Sequence, residues 1–316
     1  MAEAAAGENE EYIVIDSPYG DNIEMFDNEE TLPDLLFVFG EEDDISTLWL
    51  HRGVVARGSR LAQGTLRSKE QAETPDMNQM GWTFGIKKEV ERETLVKALR
   101  FCYGEPMRVG THDGECCAMI ATLSRLQITC LDEVLEKLTA FAIDEAKKDA
   151  RVGAELLVAT QDYSECCTAS VCELDKALAK VVFTSKNLYE NYEEVVDNCL
   201  MKLPAEYLEM VDFGEPHQRC SEFNIRLQYV NHHGESMSAD EKREEMNKCD
   251  WTMLNRDELR ELNGLKIVEP EAMVELLDKV LERTEREKRE YEEQAEITEN
   301  EKNDATRKSK IISSHT

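Results

Sequence analysis

The chain lacks a long hydrophobic run. No stretch approaches the roughly 18 to 20 apolar residues that a membrane-spanning helix requires. The first residues, Met1 to Glu11, are small and acidic, without the cationic and apolar regions of a signal peptide. We therefore expect a protein of the cytosol, the nucleus or both, with no membrane partner.

Positive charge is also scarce. The 316 residues include 67 Asp plus Glu but only 37 Lys plus Arg, which gives a net charge of -30. A surface this negative repels phosphate backbones, so we expect no nucleic-acid partner. Even the densest basic stretch, Arg283 to Arg289, is interleaved with Glu282, Glu285 and Glu287.

The sequence motifs of common active sites are missing as well. There is no Gly-x-Gly-x-x-Gly, no P-loop and no His-Glu-x-x-His. The ten cysteines form no Cys-x-x-Cys, and most lie beside apolar residues, as reduced buried thiols do. We expect no enzymatic activity, no cofactor and no metal. The spacings of the remaining possible zinc ligands match no compact motif: His217, Cys220, His232, His233 and Cys249.

The most informative stretch runs from Asp34 to Ser59. Two apolar runs, residues 35–40 and 45–50, flank an acidic break, which predicts a β-hairpin. The break cannot be buried, because four consecutive carboxylates would each need a compensating partner. The pair His51-Arg52 then leads into small and β-branched residues that indicate the start of a buried helix.

The next hundred residues predict one more strand and then helices. Residues 82–86 alternate large and small side chains, as in a half-buried strand. A helix begins near Glu91 and ends at Tyr103, where Gly104 can cap it and Pro106 blocks its continuation. Strands followed by helices, without βαβ alternation, indicate an α+β fold.

These residues resemble a BTB/POZ domain. The similarity lies in Asp34, the hairpin with its acidic turn, and His-Arg-x-Val-Val-Ala-x-x-Ser at residues 51–59. Phe101-x-Tyr103 and the segment Ala121 to Ile128 are further anchors. The resemblance implies a BTB/POZ fold, a small sheet packed with helices, over residues 32–146, after an acidic N-terminal segment at 1–31.

The following segment carries repeated helical spacing and no strand signal. Leu203-Pro204 ahead of Tyr207, the pair Ser221-Glu222 and the leucines of residues 254–262 resemble the BACK domain of kelch-like adaptors. The resemblance implies an all-α BACK-like domain over 147–265. We predict that residues 266–316 form a charged helix that frays into a disordered tail by Lys302. Its predicted docking face consists of Met273, Leu276, Leu277, Val280 and Leu281.

The resemblance implies a homodimeric protein-interaction module that acts as a substrate adaptor of a cullin-RING ubiquitin ligase, with a cullin and an unidentified protein substrate as the expected partners. The alternative is an assembly scaffold with no role in ubiquitination. Kelch repeats are missing, so substrate recruitment would fall to the BACK-like domain or the tail. The candidate cullin contact is Gln71, Ala72 and Glu73, although many cullin-binding members carry a hydrophobic residue where Gln71 stands.

The predicted dimer interface centres on the first helix of the BTB-like region. Asp34 is expected to form a charge-assisted hydrogen bond with His51 or Arg52, and a purely intrachain role is the alternative. The short run 12–15 is an edge strand, a segment that docks on a partner, or a weakly ordered tail. Residues 23–31 are too short for a swapped N-terminal helix, so the expected dimer lacks that swap. The interface residues implied by the resemblance are Asp34, His51, Arg52, Val54, Val55, Ser59 and Leu61.

Overall fold

The computed structural model describes residues 12–41, 44–71, 80–84, 89–163, 169–215 and 218–313. The chain packs as two compact units, Met1–Asp212 (unit 1) and Phe213–Thr316 (unit 2). In the described ranges no helix combines the length and apolar character needed to cross a bilayer.

Unit 1 contains a three-stranded sheet made of β2 (Leu35–Glu41), β3 (Asp44–Leu50) and β4 (Met80–Phe84), in the spatial order β3–β2–β4. β2 and β3 pair antiparallel from Leu35↔Leu50 to Glu41↔Asp44, so the predicted hairpin is confirmed; its turn at 42–43 lies outside the described residues. β4 lies parallel to β2, which the sequence did not predict. The helices between β3 and β4 provide the crossover that a parallel pair requires.

A second, two-stranded sheet fixes the N-terminal segment. β1 (Tyr12–Ile15) pairs antiparallel with β5 (Met107–Gly110), so residues 12–15 form an edge strand within their own chain. Residues 23–31 contain only two 3-10 turns, Ile23–Met25 and Glu29–Thr31, in agreement with the prediction that no longer helix forms there.

The helices of unit 1 bury their apolar faces against one another and the sheets. The helix predicted to begin near Glu91 is α3 (Glu89–Cys102). Gly104 follows it with a φ of 105°, a conformation that favours glycine. A side chain at Gly104 would also meet the backbone oxygen of Gly20, 2.6 Å from the Cβ position. The helices are α1 (Arg52–Gly58), α2 (Arg60–Gln71), α3 (Glu89–Cys102), α4 (Glu115–Leu126), α5 (Leu131–Lys148), α6 (Ala150–Gln161), α7 (Ala169–Val182) and α8 (Ser185–Glu190).

Unit 2 is helical and has its own core. Ser221 caps α9 as predicted, since its hydroxyl accepts a hydrogen bond from the Asn224 N–H at 3.3 Å. The fully buried Arg226 donates from Nε to Glu222 at 2.9 Å and from its guanidinium to Glu245, so the buried cation is paired. The helices are α9 (Glu222–His232), α10 (Ala239–Met246), α11 (Arg256–Gly264) and α12 (Pro270–Ser313).

The long C-terminal helix differs from its prediction in three ways. Only Met273, Leu276 and Val280 of the predicted docking face are buried, whereas Leu277 and Leu281 are exposed. Docking continues past Leu281, because the guanidinium of Arg283 donates to the backbone oxygens of Thr252 and Leu254. α12 also remains helical to Ser313, beyond the point at which the sequence predicts fraying.

The architecture is α+β, as predicted. Packing divides the chain after Asp212, whereas the resemblance places boundaries at 31/32, 146/147 and 265/266. α5, α6 and α7 pack together across the second of these positions, because all three belong to the core of unit 1. The segments assigned by resemblance stay predictions.

Replacing Arg283 by Ala should lower the free energy of unfolding by about 1–2 kcal/mol, since two carbonyl oxygens lose a charged donor. The melting temperature should fall by roughly 4–8 °C per kcal/mol for a unit of this size. The matched control is Arg286→Ala, because the side chain of Arg286 is exposed. Deletion of the residues after Lys288 should leave the melting temperature unchanged. Equal losses for the two arginine variants would contradict the docking role of Arg283.

Candidate interaction surface

Asp34 holds the start of α1. Its backbone N–H donates to the oxygen of Leu50 at 3.2 Å, which places the carboxylate at the end of the β2–β3 ladder. There Oδ1 accepts the backbone N–H of Arg52 and Oδ2 accepts Nε of Arg52, both at 2.8 Å. The N-cap residue His51 makes no side-chain cap bond, so Asp34 supplies the acceptor and the negative charge that a helix N-terminus favours.

The protonation of Asp34 follows from this geometry. Partial burial raises the pKa of its carboxyl, but the backbone and side-chain hydrogen bonds from Arg52, together with its charge, outweigh that effect. The pKa of Asp34 therefore lies below its usual range. Of the two partners that the sequence left open, Arg52 is the one that Asp34 contacts.

His51 is buried beside α3 and binds other groups. Its backbone N–H donates to the hydroxyl of Tyr103 at 2.7 Å. Its Nε2 lies 3.0 Å from the carbonyl oxygen of Thr31, which can only accept, so the proton is assigned to Nε2. Burial raises the pKa of the Tyr103 hydroxyl, which stays protonated at neutral pH. His51 thereby joins residues 23–31 to the end of α3.

A segment that we call the N-terminal strap, residues 12–31, runs across the ends of α1 and α3. The Ser17 hydroxyl donates to the Phe101 oxygen at 2.6 Å, and the Asn22 N–H donates to the Tyr103 oxygen at 2.7 Å. The Tyr19 hydroxyl lies 2.5 Å from Oγ1 of Thr129. Sequence reasoning missed these contacts, because isolated Ser and Tyr residues in an acidic segment carry no pattern.

Ser59 joins the α1–α2 corner to the end of α4. Its hydroxyl donates to the oxygen of Leu126 and accepts the N–H of Ala62 at 3.1 Å. Val55 is completely buried in the core of its own chain, so its side chain has no exposed surface for a partner to contact. Of the apolar residues predicted for the interface, only Val54 and Leu61 keep partial exposure. The participation of all seven predicted residues in a dimer stays a prediction.

Of the three residues in the candidate cullin contact, the described part of the chain includes only the first. Gln71 is the last residue of α2, and Ala72 and Glu73 lie outside the described residues. α2 packs against α4, and the cullin contact stays a prediction.

A groove of about 520 Å³ in unit 1 was not predicted from the sequence. It lies between the turn at 112–114, helix α6 and residues 194–202, segments too distant along the chain for spacing to connect them. Its lining carries charges of both signs. The charged lining residues are His112, Asp113, Arg151, Glu155, Asp162, Glu194 and Lys202.

Cys102 and Cys117 are buried and lack the environment of reactive thiols. Burial raises the pKa of Cys102 and of Cys117 to about 12, so both stay protonated at neutral pH. Among the residues that the structure describes, no three His, Cys, Asp or Glu side chains are grouped to hold a metal. His217, Cys166 and Cys167 lie outside those residues.

No known family model matches this chain, and no curated protein matches it.

Tyr103→Phe should lower the free energy of unfolding by about 1–3 kcal/mol, because the buried N–H of His51 loses its acceptor. Chemical denaturation measures the change. Tyr189→Phe removes the hydroxyl of an exposed tyrosine in the same unit and should change nothing. If Tyr103→Phe left the free energy of unfolding unchanged, the Tyr103 hydroxyl would not be what holds His51.

Asp34→Asn keeps a neutral acceptor but removes the charge. Because the pair with Arg52 is partly exposed, we expect the free energy of unfolding to fall by about 1 kcal/mol at neutral pH. The folded-state pKa of Asp34 is depressed, so its contribution is complete above the unfolded pKa of about 3.9. It disappears as the pH falls through the folded value.

Denaturation of wild type and Asp34→Asn at several pH values tests this expectation. The difference between their free energies of unfolding should be constant near neutral pH and should vanish in acid. Glu136→Gln, on the exposed face of α5, should have the same free energy of unfolding as wild type at every pH. A difference independent of pH would exclude the ionic contribution.

Proposed function

We propose that the chain is a protein-interaction module of BTB–BACK type. It forms a homodimer through its BTB-like region and acts as a substrate adaptor of a cullin-RING E3 ubiquitin ligase in the cytosol or nucleus. The observation that carries this proposal is the convergence of the resemblance residues around α1. Asp34 holds its first turn, and the hydroxyl of Tyr103 binds His51, the residue before it. Ser59, the residue after it, donates to the oxygen of Leu126.

The chemistry of that convergence favours binding over catalysis. In a catalytic cleft, polar groups point towards a space that a substrate can enter. Here the polar atoms of Asp34, Tyr103 and Ser59 bond to backbone groups of the same chain. Such bonds position a helix, and a rigidly held helix is what a protein interface requires.

The cullin partner is proposed on the α2–α4 face, with Gln71, Ala72 and Glu73 as the candidate contact. Substrate recruitment falls to the helical segments, because the sequence has no kelch repeats. The scaffold alternative is favoured by Gln71, a polar residue where many cullin-binding members have a hydrophobic one. Affinity purification of the full chain from its native cells separates the two functions. A co-purified cullin supports the adaptor, and a dimer without a cullin supports the scaffold.

The dimer itself is tested by light scattering of the full chain. We expect a dimer at micromolar concentration, and a monomer for Val54→Asp with Leu61→Asp, because a carboxylate buried in an apolar interface lacks a partner. Ile45→Asp, at an exposed position of the same unit, should remain dimeric. Melting curves check that every variant is folded. A monomeric wild type would overturn the proposed function.

A further inference from the structure

α12 leaves an apolar row uncovered. Val274, Leu277 and Leu281 are 58%, 38% and 59% exposed, and their spacing of three and four residues places them in one line along the helix. We call these three residues the outer stripe. The residues that dock α12 onto unit 2 are Met273, Leu276 and Val280, on the neighbouring face.

The outer stripe covers two turns of the helix. At 1.5 Å per residue, the line from Val274 to Leu281 is about 10 Å long. Three-and-four spacing of apolar side chains is the seam geometry of a helix that packs lengthwise on another helix. Beyond Leu281 the same line passes through the polar Thr284 and the charged Lys288, so the apolar seam ends at Leu281.

A row of carboxylates borders the outer stripe. At 100° per residue, Glu271, Asp278, Glu282 and Glu285 fall on the side of the stripe opposite the docked face, and all four are exposed. We call them the acidic row. In the described part of the chain none of the four carboxylates makes an ion pair within 4.0 Å.

The charges decide between the possible occupants. A second copy of α12 packed antiparallel would set its own acidic row against this one, and like charges across an interface repel. A helix with an apolar face flanked by Lys or Arg would instead cover the stripe with its apolar residues and side-chain stems, while its charged ends reach the carboxylates. The net charge of -30 also attracts such a partner over a distance.

We propose that the outer stripe and the acidic row dock a basic amphipathic helix of another protein. The inference deepens the proposed function and rests on it, because it assigns α12 as the surface that holds the recruited partner. Recognition combines burial of the three apolar side chains with pairing of the four carboxylates, so binding weakens as salt rises.

The test uses two synthetic helical peptides of about three heptads with Leu at the seam positions. One carries Lys at the flanking positions, and the other carries Glu at the same places. Fluorescence anisotropy measures their binding to the full chain. We expect the Lys peptide to bind the wild-type chain and the Glu peptide not to bind. Leu281→Gln should weaken it about tenfold, as expected for one largely lost leucine contact.

The second variant tests the acidic row. Asp278→Lys with Glu282→Lys should abolish binding of the Lys peptide and create binding of the Glu peptide. The matched controls, Tyr189→Gln and Glu136→Lys, change an exposed apolar residue and an exposed acid of unit 1 and should bind as wild type does. Because a chain this acidic attracts any basic peptide, these controls separate docking on α12 from general attraction.

Three results would overturn the proposal: no binding of the Lys peptide, equal binding of both peptides, or binding that Leu281→Gln leaves unchanged. If Leu281→Gln instead converts a dimer into a monomer, the occupant is a second copy. Light scattering and cullin co-purification of the same variants report separately on the proposed function. That function fails if wild type shows neither dimer nor cullin, whatever the peptides do.

Discussion

The contact between Asp34 and Arg52 is the constraint on which the arrangement of unit 1 depends. A helix that begins immediately after a strand has unpaired N–H groups at a fixed place, and its own N-cap side chain is directed elsewhere. Asp34 reaches the first of them, the N–H of Arg52, because its backbone is tied to Leu50, the last residue of β3. The hairpin therefore sets the direction of α1, and α1 sets the position of the α2–α4 face.

The sequence predicted the elements whose signals are local. The hairpin, the central helix with Gly104 after it, and the cap at Ser221 all depend on residues within a few positions of one another. Burial was harder to predict, because neighbours decide it. Val55 and Leu281 are both apolar residues on predicted helices, yet Val55 is completely buried and Leu281 is mostly exposed.

Contacts between distant segments escaped prediction altogether. The parallel pairing of β4 with β2, the bonds from Ser17, Tyr19 and Asn22 to residues 101–129, and the role of Arg283 join residues at least 29 positions apart. The candidate site shares this limit. The resemblance identified Asp34, His51, Arg52 and Ser59, but the hydrogen-bond partners Thr31 and Leu126 became evident only in the fold.

The pairing of β1 with β5 has a consequence for the order of folding. Ile15 and Met107 meet only after the intervening chain has closed a long loop, and that closure costs entropy before the strand bonds form. The sheet, α3 and α4 can form without the strap, because their contacts lie within residues 34–128. We therefore expect the strap to assemble after the sheet, α3 and α4. By the same reasoning we expect it to detach before them in local unfolding, so that its amide protons exchange with solvent earlier than theirs.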